Sequence, residues 1–235
     1  MESCAEILRE LHSLADASVI ENKQKRFGIV ADNALGIYQK DLNALAKQLP
    51  KDTKLAMELF DTGVYEARLL CAKLFKPAHL TEEIAEKWVK SFTNWEDCDS
   101  FCLAVFGKSN LALHCILEFT QRTPEYEKRA GLATMASYCM ADKKATNDIY
   151  EQLLEIVEQH ATDERLYVKK AVNWALRSIG KRNRDLQKEA IACANRLVQT
   201  KNKTAYWVGS NALQELTKKE VRMSDYPRSI YRPSV

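Results

Sequence analysis

The chain has 235 residues, of which 46% are hydrophobic and 29% charged, with a net charge of +3 at pH 7. That balance excludes a disordered chain and a membrane-embedded one, and 7 Gly and 5 Pro leave few sites for the tight turns of an antiparallel β protein. A mostly helical, soluble protein is therefore predicted.

Taken from the N-terminus, Ser3 with Glu6 makes a capping-box start for a first helix whose apolar set is Ile7, Leu8, Leu11 and Leu14. The opening stretch MESCAEILRELHSLA holds acids where a secretory signal would hold a basic region and an apolar core. No stretch approaches ~18 uncharged apolar residues, so a cytoplasmic protein with no membrane partner is expected. Apolar periodicity near 3.6 then predicts helices over 37–49, 54–62, 64–75, 81–92, 95–106, 110–121, 126–140, 147–160, 163–180, 186–200 and 203–217. Pro50, Gly63, Lys76-Pro77, Asn94, Gly107, Pro124, Lys143 and the Arg182-Asn183-Arg184 turn separate them. Each helix is too short to persist alone in water, so the helices must stack in pairs. The pattern of roughly 40-residue pairs points to an all-α solenoid of about six HEAT-like helix pairs, curved around a concave basic groove, with a compact bundle as the competing layout. The solenoid is expected to span 1–217 as one domain. Residues 218–235 lose the apolar periodicity and form a C-terminal extension, strapped down or mobile.

Four groups of residues can be read for chemistry. The 7 cysteines sit mostly inside apolar helical patterns and read as small buried hydrophobes of a reducing compartment. Cys98 and Cys102 are four apart, yet no second pair lies at zinc spacing nearby, so no metal is expected, and no histidine adjoins a nucleophile. In Asn94-Trp95-Glu96-Asp97-Cys98-Asp99, Asn94 is a good N-cap, and Glu96 and Asp97 suit the first turn of a helix. Asp99 shares a face with Trp95 one turn on. A ring and a carboxylate side by side make a pocket for a cation, or else a capping acid beside a packed Trp. In Tyr126-Glu127-Lys128-Arg129 the bases oppose the helix dipole, which leaves salt bridges to Glu125 and Glu127 or contacts to phosphate as their purpose.

The stretch Val168 to Arg182, VKKAVNWALRSIGKR, holds two stripes if helical. Val168, Val172, Ala175 and Ile179 make one face, and Lys170, Trp174, Arg177 and Lys181 lie roughly 200° around. The second stripe suits a polyanion with flat rings, such as DNA; the alternative is an ordinary amphipathic helix whose Trp wraps into the next one. Between Arg165 and Lys203 there are eleven Lys and Arg against two acids, a local charge of +9 that leaves −6 for the rest of the chain. That asymmetry fits a phosphate-facing surface on a mildly acidic protein.

The segments RFGI, LFDTGVYEARLL, NWEDCD, EYEKRAG, DERLYVKKAVNWALRSIGKRN and AYWVGSNALQEL together resemble the DNA alkylation repair proteins of the AlkD-like type, HEAT-repeat DNA glycosylases, from about Phe27 to Leu216. The resemblance implies that Trp95 and Trp174 are aromatic walls around the lesion, Asp99 the catalytic carboxylate and Arg129 a phosphate-binding residue. Arg177 adds a backbone contact, with Lys128, Lys170 and Lys181 as further DNA-binding cations. The implied substrates are cationic N3- and N7-alkylated purines, 3-methyladenine and 7-methylguanine, in duplex DNA; no cofactor is implied, and a nucleoid-associated monomer is expected. The chain departs from the family pattern at Glu96, where Asp is commoner, and at Phe119, where a Trp is expected. A HEAT scaffold that binds DNA structures or a protein without catalysis is the alternative.

Overall fold

The computed structural model describes residues 3–233, and its regular elements are helices: α1 (Cys4–Ser13), α2 (Ala17–Phe27), α3 (Gln39–Gln48), α4 (Thr53–Asp61), α5 (Tyr65–Leu74), α6 (Glu82–Val89), α7 (Trp95–Ala104), α8 (Ala112–Thr120), α9 (Glu125–Ala141), α10 (Asn147–His160), α11 (Leu166–Gly180), α12 (Arg184–Gln199), α13 (Lys203–Leu216) and the short α14 (Arg228–Tyr231). Two 3-10 turns, Pro77–His79 and Phe106–Lys108, join them. The boundaries follow local chemistry. Ser3 and Glu6 form the reciprocal cap expected for α1, Asn94 and Asp97 form another on α7, and Asn183 and Asn202 cap α12 and α13 with their side-chain oxygens. Two helices, α2 and the four-residue α14, lack a sequence prediction. In α2 only Val19 and Lys23 are buried, so the apolar stripe is too thin to read, and the helix is defined instead by the Asp16 cap and by Gly28 in the left-handed conformation (φ 64).

The chain divides into two compact units, with the boundary between Leu111 and Ala112. In the first, α5 is central and packs against α1, α3, α4 and α7. Its core holds a cluster of rings around the fully buried Trp88, whose centroid lies 4.7 Å from Phe101, 4.8 Å from Phe75 and 5.8 Å from Phe60. The long loop after α2 is organised by Glu66, a fully buried carboxylate on α5 that accepts backbone N–H bonds from Leu35 (2.8 Å), Gly36 (3.0 Å) and Ile37 (3.2 Å). Gly36 is required there twice over. Its φ is +82, and a Cβ would lie 2.0 Å from the carbonyl oxygen of Asp16.

In the second unit α9, α11 and α13 pack side by side, and α8, α10 and α12 lie against them. Contacts at equivalent positions show that the three run parallel: Tyr126 meets Tyr167 near the starts of α9 and α11, Lys169 meets Trp207, and Arg177 pairs with Glu215 farther along α11 and α13. The predicted core stripe Val168, Val172, Ala175 and Ile179 is fully buried. The segment after α13 is strapped to this unit. Ser224 and Tyr226 donate backbone N–H bonds to the carbonyls of Lys181 and Arg182, Asn183 donates to the Tyr226 carbonyl (2.7 Å), and the Tyr231 hydroxyl donates to Asp185 (2.9 Å).

Candidate functional site

The first unit builds a cavity beside the start of α7. Because Asn94 and Asp97 fix the first turn, Trp95 and Asp99 come up one turn apart on the same half-buried face. Both line a cavity of about 420 Å³ together with Gln39, Lys73, Ser100 and Lys108. The indole is held in place by its N–H, which donates to the carbonyl of Phe27 at the end of α2 (3.0 Å). Beneath it Glu96 is more than a first-turn acid. Only 7% exposed, it pairs with Lys23 of α2 (3.0 Å) and accepts from the Tyr65 hydroxyl (2.9 Å). Asp97 is fully buried and accepts the backbone N–H of Thr93 (3.1 Å) and Asn94 (3.2 Å). Burial pushes its carboxyl above the usual range, and these N–H groups and Arg68 only partly oppose that. The NWEDCD motif thus splits its labour. Asn94, Glu96 and Asp97 hold the turn, and Trp95 and Asp99 line the cavity with Glu96 between them in sequence.

The second unit builds an aromatic and basic face along α9, α11 and α13. Tyr126 and Tyr167 lie 5.7 Å apart, with the Arg129 guanidinium 6.0 Å and the Lys170 ammonium 5.8 Å from the Tyr167 ring; Lys169 sits 5.4 Å from the Trp207 ring. Rings that stack and cations that pair with phosphate alternate here across three neighbouring helix starts. Arg129 is only 6% exposed and donates to the Tyr167 carbonyl (2.6 Å), so its guanidinium is fixed between α9 and α11. The acids once set against it have other partners: Glu127 pairs with Arg122 (3.0 Å), and Glu125 accepts the Tyr167 N–H (3.2 Å). Lys128 reaches His160 Nδ1 on α10 at 3.5 Å. Burial, with Lys128 as the next cause, holds the His160 pKa below its usual value.

Trp174, half-buried on α11, lines a separate cavity of about 450 Å³ with Met140, Lys181, Glu215 and the strap residues Val221 and Met223. Arg177 and Lys181 lie on the same half-buried stripe, on the face the sequence pattern predicts, but both are ion-paired to Glu215 of α13, Lys181 at 2.6 Å. Burial raises the Glu215 pKa, and the hydrogen bonds from Lys181 and Arg177 more than reverse that, leaving it below its usual range. Other charges in the basic segment are also spoken for. Arg165 pairs with Asp163, Arg196 with Glu158 and Lys188 with Asp185. Arg182, counted in the same segment, is fully buried; it donates to the carbonyls of Cys139 and Asp142 and stacks 4.0 Å over the Tyr150 ring.

These placements can be set beside known proteins. The family model for the DNA alkylation repair enzyme matches residues 7–216. The chain belongs to this family. The match begins well before Phe27, so α1 and α2 are part of the family's common framework, consistent with Lys23 and Phe27 supporting Glu96 and Trp95. A solved structure described as one of a new family of proteins related to the HEAT-like repeat DNA glycosylases, with affinity for branched DNA structures, shares the fold at TM-score 0.75 and 18% identity over 100% of this chain and 99% of that one. The expected all-α, HEAT-like fold is the observed one. A designed armadillo repeat protein aligns at TM-score 0.36 and 14% identity over 76% of this chain and 92% of its own. No curated protein sequence matches the chain. Among the described residues no helix is long and apolar enough to cross a membrane, and no cluster of His, Cys, Asp and Glu is placed to hold a metal ion.

The sequence reading missed Lys23, Lys73 and Lys108 in the first unit, and Tyr167 and Trp207 in the second. Their signal was weak, because each is an isolated residue in an ordinary amphipathic helix or turn. Only packing shows which of them meet.

Proposed function

We propose that this protein is a DNA glycosylase of alkylation repair that hydrolyses the N-glycosidic bond of cationic N3- and N7-alkylpurines in duplex DNA. One observation supports it above all: Trp95 and Asp99 line the same cavity from adjacent turns of α7. An alkylpurine of this kind carries a formal positive charge and is already a good leaving group. Its departure leaves an oxocarbenium-like sugar, so ground state and transition state are both cations. The Trp95 face attracts that charge through its quadrupole, the Asp99 carboxylate neutralises it, and the same carboxylate orients or deprotonates the incoming water. A carboxylate on a DNA-facing surface repels phosphate, so it earns its place through chemistry rather than affinity. In the second unit Arg129, Lys128 and Lys170 serve as phosphate contacts, Trp174 as an aromatic contact to the lesion-bearing strand, and Arg177 and Lys181 as backbone contacts once they leave Glu215.

Base release from N-methylated duplex DNA by the wild type and by Asp99→Asn tests this reading. Removing a group that stabilises developing charge costs about 10²–10³ in rate, and equal rates in the two proteins would overturn the role of Asp99. The second reading is a DNA-binding protein without catalysis, favoured by the branched-DNA affinity attributed to the structurally similar protein. It predicts salt-dependent binding to branched DNA and no released base from any methylated substrate.

A further inference from the structure

We propose that Lys73 is a second reactive group in the Trp95–Asp99 cavity, an amine that condenses with the aldehyde of an abasic deoxyribose and cleaves the strand on its 3′ side. The inference rests on the DNA-directed reading above, and it adds an activity on the product of base release. When a purine leaves and water adds at C1′, the sugar opens to an aldehyde. The reagent suited to that aldehyde is an uncharged primary amine held close by, and a lysine reaches that state through desolvation or through a neighbouring cation.

Lys73 has both. It lies in the last turn of α5, half-buried in the wall of the cavity that Trp95 and Asp99 line. Among the described residues no salt bridge is made by Lys73, whereas Lys23, under the first turn of α7, is spent on Glu96. Lys51 donates its ammonium hydrogen bond to the carbonyl of Lys73 itself, which holds a second cation beside it, and Lys108 lines the same cavity. Burial is the largest cause and pulls the Lys73 pKa down; Glu96 opposes it, and Lys51 adds a smaller lowering; burial and Lys108 lower Lys51 in turn. A lysine whose role was only to attract phosphate would be better placed exposed to solvent.

The chemistry balances without any further reagent. The amine nitrogen of Lys73 attacks C1′, and loss of one water gives a protonated imine. The imine draws electrons from C2′, so the C2′ proton passes to a base, a role given to Asp99, one of the two carboxylates that line the cavity. The electron pair left at C2′ forms the C2′–C3′ double bond as the C3′–O bond breaks, and the 3′ strand leaves with a 5′-phosphate. One water then hydrolyses the imine, returning the Lys73 amine and releasing an unsaturated aldehyde on the other strand end.

The test uses the full chain and a duplex with one abasic site, made beforehand by removing a uracil, so that it does not depend on base release by this protein. Sodium borohydride reduces the imine to a stable amine link. The expected result is a covalent protein–DNA adduct, mapped by peptide mass to Lys73, together with strand cleavage, both reduced to the protein-free background in Lys73→Arg. Absence of an adduct with the wild type, its mapping to Lys51, Lys108 or another amine, or its persistence in Lys73→Arg would each overturn the proposal. If Lys73→Arg does not fold, as read by its thermal melt, the peptide map of the wild-type adduct decides. A parallel measurement of base release separates the two readings. Released base without an adduct sinks the role of Lys73 alone, and an adduct on Lys73 without released base sinks the glycosylase reading and keeps the lyase chemistry.

Discussion

Trp95 and Glu96 are neighbours in the chain with opposite roles. Both line the cavity, but Trp95 is half-buried there, while the Glu96 carboxylate is held by Lys23 and the Tyr65 hydroxyl. A buried ion pair is tolerated because each charge has its partner, and removing one partner strands the other. Lys23→Met is therefore expected to cost about 3–5 kcal/mol, measured by urea unfolding, and to weaken base release because α2 also anchors Trp95. Gly36→Ala is expected to destabilise by at least about 1–3 kcal/mol, since the φ of +82 is strained for any side chain and the Cβ would collide with the Asp16 carbonyl. At this scale the sequence was informative about Asn94, Trp95 and Asp99, because cap chemistry and i, i+4 spacing are local. It was silent about Lys23 and Glu96. Their partnership spans 73 positions of chain and leaves no periodic trace.

Among the helices, α11 shows what a pattern can and cannot tell. Its two stripes separate as the spacing requires, one fully buried and one half-buried or exposed, because the 3.6-residue repeat is a property of the backbone. Whether Arg177 and Lys181 are available to DNA is a property of α13, which brings Glu215 between them. Glu215→Gln removes that competitor. The expected outcome is tighter DNA binding with a steeper dependence on salt, the slope of log Kobs against log salt changing by roughly 1–2 if both cations gain a phosphate, as read by fluorescence anisotropy. An unchanged slope would mean that neither cation faces DNA. α9 makes a similar point through Gly131 in the EYEKRAG motif. A Cβ there would lie 2.6 Å from the Thr120 backbone nitrogen, so the glycine permits the close approach of α8 and α9. Gly131→Ala is expected to lower the melting temperature, by about 2–4 °C for each kcal/mol lost in a chain of this size.

For the molecule as a whole, the carboxylates decide how stability responds to acid. Asp163 and Glu158 are held below their usual range first by side-chain hydrogen bonds, from Arg165 and Arg196 respectively, and Glu215 ends below it despite burial. A lowered carboxylate contributes stability that is fully present above its unfolded value, near 4, and is lost as the pH falls through the folded-state value. His160, also lowered, contributes above about 6.5 and loses its contribution as it is protonated. Asp97 has the opposite sign, since burial raises it and its protonation on acidification relieves a cost. The melting temperature is expected to fall modestly as pH drops below about 6.5 and steeply below about 4, with the first step absent in His160→Gln. The sequence alone determined the helical class, the approximate helix limits, the core stripe of α11 and the pairing of Trp95 with Asp99, because each follows from backbone period, caps and near-neighbour spacing. Tertiary structure alone decided that Arg182 is an internal cross-link while Lys170 is exposed, that α2 anchors the Trp95 indole, and that Lys73 shares the cavity with Asp99. The physical reason is that burial and pairing depend on which distant helix packs against each face.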